Sequence, residues 1–262
     1  MKKAILLAII IMLIIVLYQS PKIVADDMVS KQISEIINSI IIEEKLIYQI
    51  KDFEELRSLI LQLELDEIHK EIIGYNELGI QRITILVKFI KMHRNSTASL
   101  LAYYLISRDL EDFWKESFLS ERQYILEEII KNQSDEIICN VAAVDLFKQK
   151  YLANRNQKEK RQLLNNYINS LHSLLQIVDD WYINNPKLDI IKIYWYKNEA
   201  RPLEVSFELH IKMELGAMYE ELGDTKSAIR IYSEIVAKFK GTDIAKKAQS
   251  RIELLKKTQI EF

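Results

Sequence analysis

Residues 209–257 read LHIKMELGAMYEELGDTKSAIRIYSEIVAKFKGTDIAKKAQSRIELLKK, and the spacing of their apolar residues decides the fold of the chain. Apolar side chains recur at helical spacing in three successive stretches, which predicts three helices separated by two short turns. Gly223 and Asp224 supply the first turn, because glycine accepts the left-handed conformation that ends a helix and aspartate caps the next one. Gly241 and Thr242 supply the second turn in a similar way. The segment therefore predicts a helical hairpin followed by a third helix.

The two helices of the predicted hairpin carry small and aromatic residues at a fixed spacing. Gly216 and Ala228 are small enough for a neighbouring helix to approach closely, and Tyr219 and Tyr232 fill the space beside them. The pattern resembles the tetratricopeptide repeat (TPR), whose spacing is matched by a packing signature of Leu215, Gly216, Tyr219, Gly223, Asp224, Ala228 and Tyr232. The resemblance covers one repeat and the first helix of a second, about a fifth of the chain.

Two positions depart from the family pattern. Lys212 stands where the family has a large aromatic residue early in its first helix, and Lys240 stands where it has a closing proline. The resemblance implies helical hairpins stacked as a TPR-like α-solenoid, with a concave groove that holds an extended segment or a helix of another protein. Since one repeat cannot bury its own apolar face, upstream helices are expected to complete the core. An ordinary helical hairpin with a glycine turn is the alternative, and it implies no groove.

The C-terminal segment is also rich in basic side chains. We single out Arg230, Lys246, Lys247 and Arg251 as candidates for binding an acidic peptide of a partner. Side chains that simply point into solvent are the alternative for each of them. The segment is similar to repeats of bacterial proteins that assemble the envelope or coordinate cell division, which implies a scaffold for protein–protein interaction in the envelope.

The first 25 residues have the composition of a membrane-targeting segment. Two lysines follow Met1, and residues 4–18 contain no charged residue and are nearly all aliphatic. Residues 1–25 are therefore predicted to be a cleaved signal peptide or a retained membrane anchor, because the apolar run is short for a bilayer span but strongly favours insertion. Either outcome sends the rest of the chain across the cytoplasmic membrane, to an anchored, periplasmic or extracellular location.

The body of the chain is predicted to be all α-helical. Its 262 residues include only five Gly and three Pro, which favours long helices with short connections. We divide it into an N-terminal helical region at 28–95, helical hairpins at 96–200 and the TPR-like unit at 203–257. The hairpins have the length of degenerate repeats, but the packing signature cannot be placed in register within them. The aromatic run at 189–196 is predicted to lie in the core, with a contact surface as the alternative.

Local signals place the ends of the predicted helices. Gly74 and Gly79 bracket one predicted break, because glycine is a poor helix former. Another break is predicted between residues 107 and 110. Ser134 is predicted to cap the helix that follows it.

No catalytic motif is recognisable, so no catalytic, cofactor-binding or metal-binding residues are predicted. The sequence lacks a glycine-rich phosphate loop, a nucleophile elbow, a His-Glu-x-x-His motif and paired cysteines. Cys139 lies among aliphatic residues and is predicted to be a buried, unreactive thiol. The net charge of −2 gives no basic footprint for nucleic acid.

Two other kinds of protein stay open. An all-helical envelope hydrolase would use the acidic segment 64–71, with Glu67 and His69 as the residues to test, although their spacing fits no zinc-ligand motif. A structural membrane-tethered protein would pair its N-terminal helices, residues 28–65, as a coiled coil, although that stretch is short and its charges are irregular.

Overall fold

The computed structural model describes residues 31, 33–35, 45–67, 75–114, 117–180, 187, 190–191 and 207–260. Over these residues the chain is helical and forms no strand, which confirms the all-α prediction. An isolated bridge between Ile47 and Ser96 is the one β-type contact of this part. The described residues form nine helices: α1 (Ile50–Glu67), α2 (Tyr75–Met92), α3 (Thr97–Trp114), α4 (Leu119–Asn132), α5 (Glu136–Ala153), α6 (Gln157–Asp180), α7 (Phe207–Leu222), α8 (Thr225–Lys238) and α9 (Asp243–Ile260).

Each helix packs against its neighbours in the sequence, so the chain is a series of adjoining helical pairs. Helix α1 also reaches α3, and α3 also reaches α5. The buried apolar side chains of all nine helices belong to one continuous core, from Phe53 of α1 to Ile252 of α9. Burial of this apolar surface is the main force that holds the pairs together.

Capping residues mark the end of α4 and the start of α5. Gln133 is the C-cap of α4, and its φ of 53° lies in the left-handed region. Asp135 is the N-cap of α5. The carboxylate of Asp135 accepts a hydrogen bond from the backbone N–H of Ile138 at 3.1 Å. The prediction of Ser134 as the cap was therefore wrong by one residue, because the carboxylate that follows it takes that role.

Two predicted breaks do not occur. Helix α2 begins at Tyr75 and includes Gly79, and α3 continues without interruption to Trp114. A Cβ atom at Gly79 would lie 2.4 Å from Cη2 of Trp114 and 2.8 Å from Cγ of Phe113. Glycine is thus present in α2 because two aromatic rings of α3 press on its backbone, and its poor helix propensity is overcome by this packing.

A fully buried ion pair explains why α3 continues past residues 107–110. Arg82 of α2 donates from Nε to Oδ1 of Asp109 of α3 at 3.1 Å, and neither side chain is exposed. Nη1 of Arg82 also donates to the carbonyl oxygen of Leu63 of α1 at 3.4 Å. Asp109, within the predicted break, therefore points inward, and its partner Arg82 connects α1, α2 and α3.

Lys187, which follows α6, contacts both the start of α5 and the segment before α1. Lys187 binds the carboxylate of Asp135, and its Nζ lies 4.7 Å from the centre of the Tyr48 ring. Ile190 and Ile191 are fully buried, as the core interpretation of residues 189–196 expects. The other residues of that run lie outside the described residues.

The predicted leader, residues 1–25, also lies outside the described residues. Within the part of the chain that the structure describes, none of the helices combines the length and the apolar character needed to cross a bilayer.

Candidate partner-binding surface

Side chains connect the alternate helices α3, α5, α7 and α9 directly. Helix α3 reaches α5 through Arg108 Nη1 and Asp145 Oδ2, which are 3.4 Å apart. Helix α5 reaches α7 through Lys148 Nζ, which donates to Oε1 of Glu214 at 2.9 Å. Helix α7 reaches α9 because Nε of Arg251 donates to Oε1 of Glu220 at 2.9 Å. Side chains therefore link each of these four helices to the next, and we call the surface formed by these linking side chains the odd-helix face.

Two tyrosine hydroxyls strengthen the same connections. Tyr104 of α3 donates to Oδ2 of Asp145 at 2.8 Å. Tyr151 of α5 donates to Oε1 of Glu221 at 2.7 Å. A hydrogen bond to a charged acceptor is stronger than one between neutral groups, so these contacts fix the relative position of the helices.

A small polar cavity lies between α3, α5, α6 and α7. Its volume is about 70 Å³, enough for one or two water molecules. Tyr167 of α6 donates to Glu214 Oε1 at 2.6 Å, so Glu214 receives hydrogen bonds from both α5 and α6. The charged, tyrosyl and histidyl residues lining the cavity are Arg108, Asp145, Lys148, Tyr167, His210 and Glu214.

Three side chains that line this cavity have shifted pKa values. Burial alone would lower the pKa of Arg108, but the nearby Asp145 and Tyr104 raise it above its ordinary value. Burial, followed by the charge of Glu214, raises the pKa of Tyr167. Burial would raise the pKa of Glu214, but Lys148 and Tyr167 lower it. Arg108, Tyr167 and Glu214 therefore keep one charge state each, which suits binding better than proton transfer.

The packing signature forms a tightly packed hairpin of α7 and α8. A Cβ atom at Gly216 would lie 2.5 Å from Cε1 of Tyr232, so only glycine leaves room for this ring. The hydroxyl of Tyr232 donates to Oε1 of Glu220 at 2.6 Å. Leu215 and Ala228 are fully buried, as the pattern predicts.

The turn of the hairpin has the predicted chemistry. Gly223 has a φ of 80°, in the left-handed region that glycine occupies at little cost. The backbone N–H of Asp224 donates to the carbonyl of Tyr219, and that of Gly223 donates to the carbonyl of Glu220. The carboxylate of Asp224 then caps α8 by accepting from the N–H of Ser227 at 3.0 Å. Backbone groups at the end of α7 and at the start of α8 thus have hydrogen-bond partners.

The departure at Lys212 is compensated by charge. Lys212 is 9% exposed, and its Nζ lies 3.1 Å from Oε1 of Glu208 and 3.2 Å from Oε2 of Glu234. Lys238 of α8 donates to the other oxygen of Glu208 at 2.6 Å. An ion network therefore fills the place where an aromatic ring would have packed between α7 and α8.

The four candidate basic residues have different surroundings. Arg251 binds Glu220, and Lys246 lies 2.9 Å from Asp243 on the same helix. Arg230 and Lys247 are exposed. Arg230 lies close to His172 of α6. Burial is the largest cause of the lowered pKa of His172, and the charge of Arg230 is the next. Because carboxylates of this chain already neutralise two of the four, the attraction for an acidic peptide is weaker than the sequence alone suggests.

Most polar residues that line the cavity escaped the sequence analysis. Arg108, Asp145, Lys148, Tyr167 and Glu214 come from four helices and meet only in the folded chain. The available signal was a charged residue inside an apolar stretch, as at Asp145 between Val144 and Leu146. A charge at such a position indicates a buried partner but does not identify it.

The residues of the hydrolase alternative cannot be assembled into a site. Glu67 is the last residue of α1, and His69 lies outside the described residues. Among the residues described, no group of three or more His, Cys, Asp or Glu side chains is placed to hold a metal ion. Cys139, predicted to be buried, is half-buried, and burial raises the pKa of its thiol.

Comparison of the chain with protein-family models, curated proteins and solved structures finds no match. The resemblance of the C-terminal segment to a repeat therefore rests on its own residues and on the packing described above.

Proposed function

We propose that this protein is a TPR-like scaffold that binds another protein along the odd-helix face. One observation carries the proposal: α3, α5, α7 and α9 contact each other directly through side chains, although a full helix separates each from the next in the sequence. Stacked hairpins of a helical repeat produce this arrangement, because the first helix of each hairpin packs beside the first helix of the next.

The hairpins of this arrangement are α3/α4, α5/α6 and α7/α8, and α9 closes the array. A terminal repeat needs a polar outer side to stay soluble, because no further hairpin covers it. Helix α9 fits this role, since Lys246, Lys247, Ser250 and Arg251 are exposed. Leu254, at 49%, is its one markedly exposed large apolar residue among those described.

The odd-helix face suits an extended or helical segment of a partner protein. Along α7, His210, Glu214, Ala217 and Glu221 follow one another at helical spacing; Ala217 and Glu221 are exposed, and His210 and Glu214 are half-buried beside α5 and α6. Arg108 lies beside Asp145 and Lys148 lies beside Glu214, so both signs of charge occur on this face. A face with both signs of charge pairs with a partner of complementary pattern and discriminates against others.

The proposed place of action is outside the cytoplasmic membrane, at the cell envelope. The support is the leader-like composition of residues 1–25, with two lysines before the uncharged run at 4–18. A scaffold at this location would hold an envelope protein by one of its segments.

Site-specific photo-crosslinking in the producing cells tests the proposal. A benzophenone amino acid is placed at Ala217, an exposed position of α7 on the odd-helix face. The matched control places it at Ala237, an exposed alanine near the end of α8. We expect position 217 to yield a defined crosslinked protein that position 237 does not yield.

A blocking substitution completes the test. Glu221→Lys, combined with the crosslinker at 217, reverses a charge of the proposed contact and also removes the acceptor of the Tyr151 hydroxyl, so far-UV circular dichroism first checks that the variant is folded. We expect the crosslink to weaken. Equal crosslinking from positions 217 and 237, or none from 217, would overturn the proposal of binding at the odd-helix face.

A further inference from the structure

Four large apolar side chains are exposed at the beginning of the folded body. Ile47 is 58% exposed, Tyr48 51%, Ile50 58% and Met92 69%. Single exposed apolar residues are ordinary, but a group of them at one place marks a contact with something else.

Backbone hydrogen bonds place Ile47, and with it the neighbouring Tyr48 and Ile50, beside the turn that follows Met92. The N–H of Ile47 donates to the carbonyl of Asn95 at 2.6 Å, and the N–H of Thr97 donates to the carbonyl of Ile47 at 3.1 Å. The segment before α1 therefore lies along the turn between α2 and α3. Met92 ends α2 beside that turn. We call Ile47, Tyr48, Ile50 and Met92 the end patch.

Basic residues surround the end patch. The two stretches that contain it, residues 45–51 and 88–94, include Lys45, Lys51, Lys88, Lys91 and Arg94, all exposed, and no acidic residue. Along the chain, Glu43 and Glu44 precede Lys45 and lie outside the described residues, and Asp52, Glu54 and Glu55 follow in the first turns of α1. Two of them, Asp52 and Glu55, lie 3.3 and 3.2 Å from the ring nitrogens of His93. The exposed Glu54 also lies in this turn.

The chain itself keeps the end patch near a membrane. Ile33 is fully buried in the core, so the folded body begins close to residue 31. The uncharged run ends at Tyr18, and 13 peptide units from there to Lys31 span at most about 45 Å. A leader held in the bilayer therefore confines the body to the adjacent surface.

We propose that the end patch docks the folded body onto an anionic phospholipid surface. This inference rests on the membrane leader of the proposed function. The isoleucines and Met92 enter the boundary between head groups and acyl chains, and Tyr48 lies at the head-group level, where its ring and its hydroxyl are both satisfied. The lysines and Arg94 extend around them to lipid phosphates.

The composition of the patch favours lipid over a protein partner. Cores of protein interfaces are depleted in lysine, whereas apolar residues surrounded by lysine are typical of surfaces that bind anionic membranes. Four of the five surrounding basic residues are lysines. Lysine also keeps its long stem on the apolar surface while its ammonium reaches the head groups.

An environment-sensitive label in the full-length chain tests the proposal. Ile50→Cys in a Cys139→Ala background carries a nitrobenzoxadiazole label in vesicles of phosphatidylcholine with phosphatidylglycerol. The control is Leu152→Cys, an equally exposed site at 68% on α5. We expect the label at 50 to shift to the blue and to be quenched by doxyl lipids, and the label at 152 to do neither.

Removing charge or anionic lipid measures the electrostatic part. Replacing Lys51 and Lys91 by glutamine is expected to lower the ratio of docked to undocked protein about 30-fold, since each lysine near an anionic surface contributes about fivefold. Vesicles of phosphatidylcholine alone should weaken docking in the same direction.

Two outcomes would overturn the proposal. One is a label at 50 that stays as water-exposed as the label at 152 in the anionic vesicles. The other is a blue shift at 50 without lipid, which would mean that a second copy of the chain covers the patch. Because the vesicles contain no partner protein, neither outcome depends on whether the odd-helix face binds one.

Discussion

The C-terminal unit, α7–α9, and the central helices, α2–α6, are joined by different contacts. In the C-terminal unit the main contact is local: Gly216 and Tyr232 face each other within one hairpin. In the central helices the polar contacts join residues far apart in the sequence. Arg82 and Asp109 are separated by 27 positions, and Tyr104 and Asp145 by 41. The two regions therefore differ in how far apart these partners lie in the sequence, although the central helices also pack Gly79 against two rings and the C-terminal unit also buries an ion network.

This difference determines which kind of substitution destabilises each region most. Close packing of a small residue against a ring tolerates little change of volume. It does not require a partner of particular chemistry. A buried ion pair requires both partners, because a single charge left in the core is costly. We expect the central helices to be sensitive to the loss of a charge and the C-terminal unit to be sensitive to added volume.

The largest effect is expected from Asp109→Ala in the central helices. This change removes the carboxylate that neutralises Arg82, and both side chains are fully buried. Breaking a buried pair from one side costs about 3–5 kcal/mol of unfolding free energy. Urea unfolding followed by far-UV circular dichroism measures the loss.

A double variant separates charge from volume at the same place. Arg82→Met with Asp109→Leu removes both charges and keeps most of the side-chain volume. We expect it to recover most of the stability that Asp109→Ala loses. A double variant as unstable as Asp109→Ala would show that the pair acts through its shape and not through its charge.

The sequence disclosed the C-terminal unit well and the central polar contacts hardly at all. The bounds of α7 and α8 follow from Gly223, whose φ of 80° matches the expected turn, and from the apolar spacing on either side. These signals lie within one hairpin, so a local pattern contains both partners. No local pattern contains both Lys148 and Glu214, which are 66 positions apart.

Gly79 shows how the same residue type misleads when its partner is distant. Glycine in a sequence indicates either a turn or a close approach of another element. Gly223 is needed for a turn. Gly79 is needed because the rings of Phe113 and Trp114, which belong to the next helix, approach its backbone closely. Without knowledge of the contact between α2 and α3, the sequence indicated a break at Gly79. The predicted start of α2 was therefore later than the observed one.

A smaller effect is expected from Gly216→Val in the C-terminal unit. The added Cβ would lie 2.5 Å from Cε1 of Tyr232, a ring that is 1% exposed and held by its hydrogen bond to Glu220. Overpacking of this kind costs about 1–3 kcal/mol. The matched control is Ala217→Val, at an exposed position of the same helix, which should change the unfolding free energy by less than about 0.7 kcal/mol.

Equal stability of the two valine variants would contradict the close packing of α7 and α8. It would also remove the contrast between the two regions, because the C-terminal unit would then have no contact that excludes a larger residue.

The smallest effect is expected from acid, through Glu208 of the C-terminal unit. Burial would raise the pKa of Glu208, but hydrogen bonds from Lys238 and Lys212 bring it below its ordinary value of 4.5. A carboxylate with a lowered pKa in the folded state contributes stability that is complete above the unfolded pKa and is lost as the pH falls through the folded pKa. The contribution is modest because Lys238 is 55% exposed and water screens the pair.

Glu208→Gln removes this titration and so provides the measurement. The variant should be less stable than the parent at pH 7, and the difference should shrink as the pH falls below about 4.5. Glu253→Gln, at an exposed position of α9, controls for the change in net charge and should show no such trend. A Glu208→Gln difference that stays constant from pH 7 to about pH 3 would contradict the role of the ion network at Lys212. In that case the network would fill the space of the missing aromatic ring without stabilising the hairpin by charge, and the C-terminal unit would depend on packing alone.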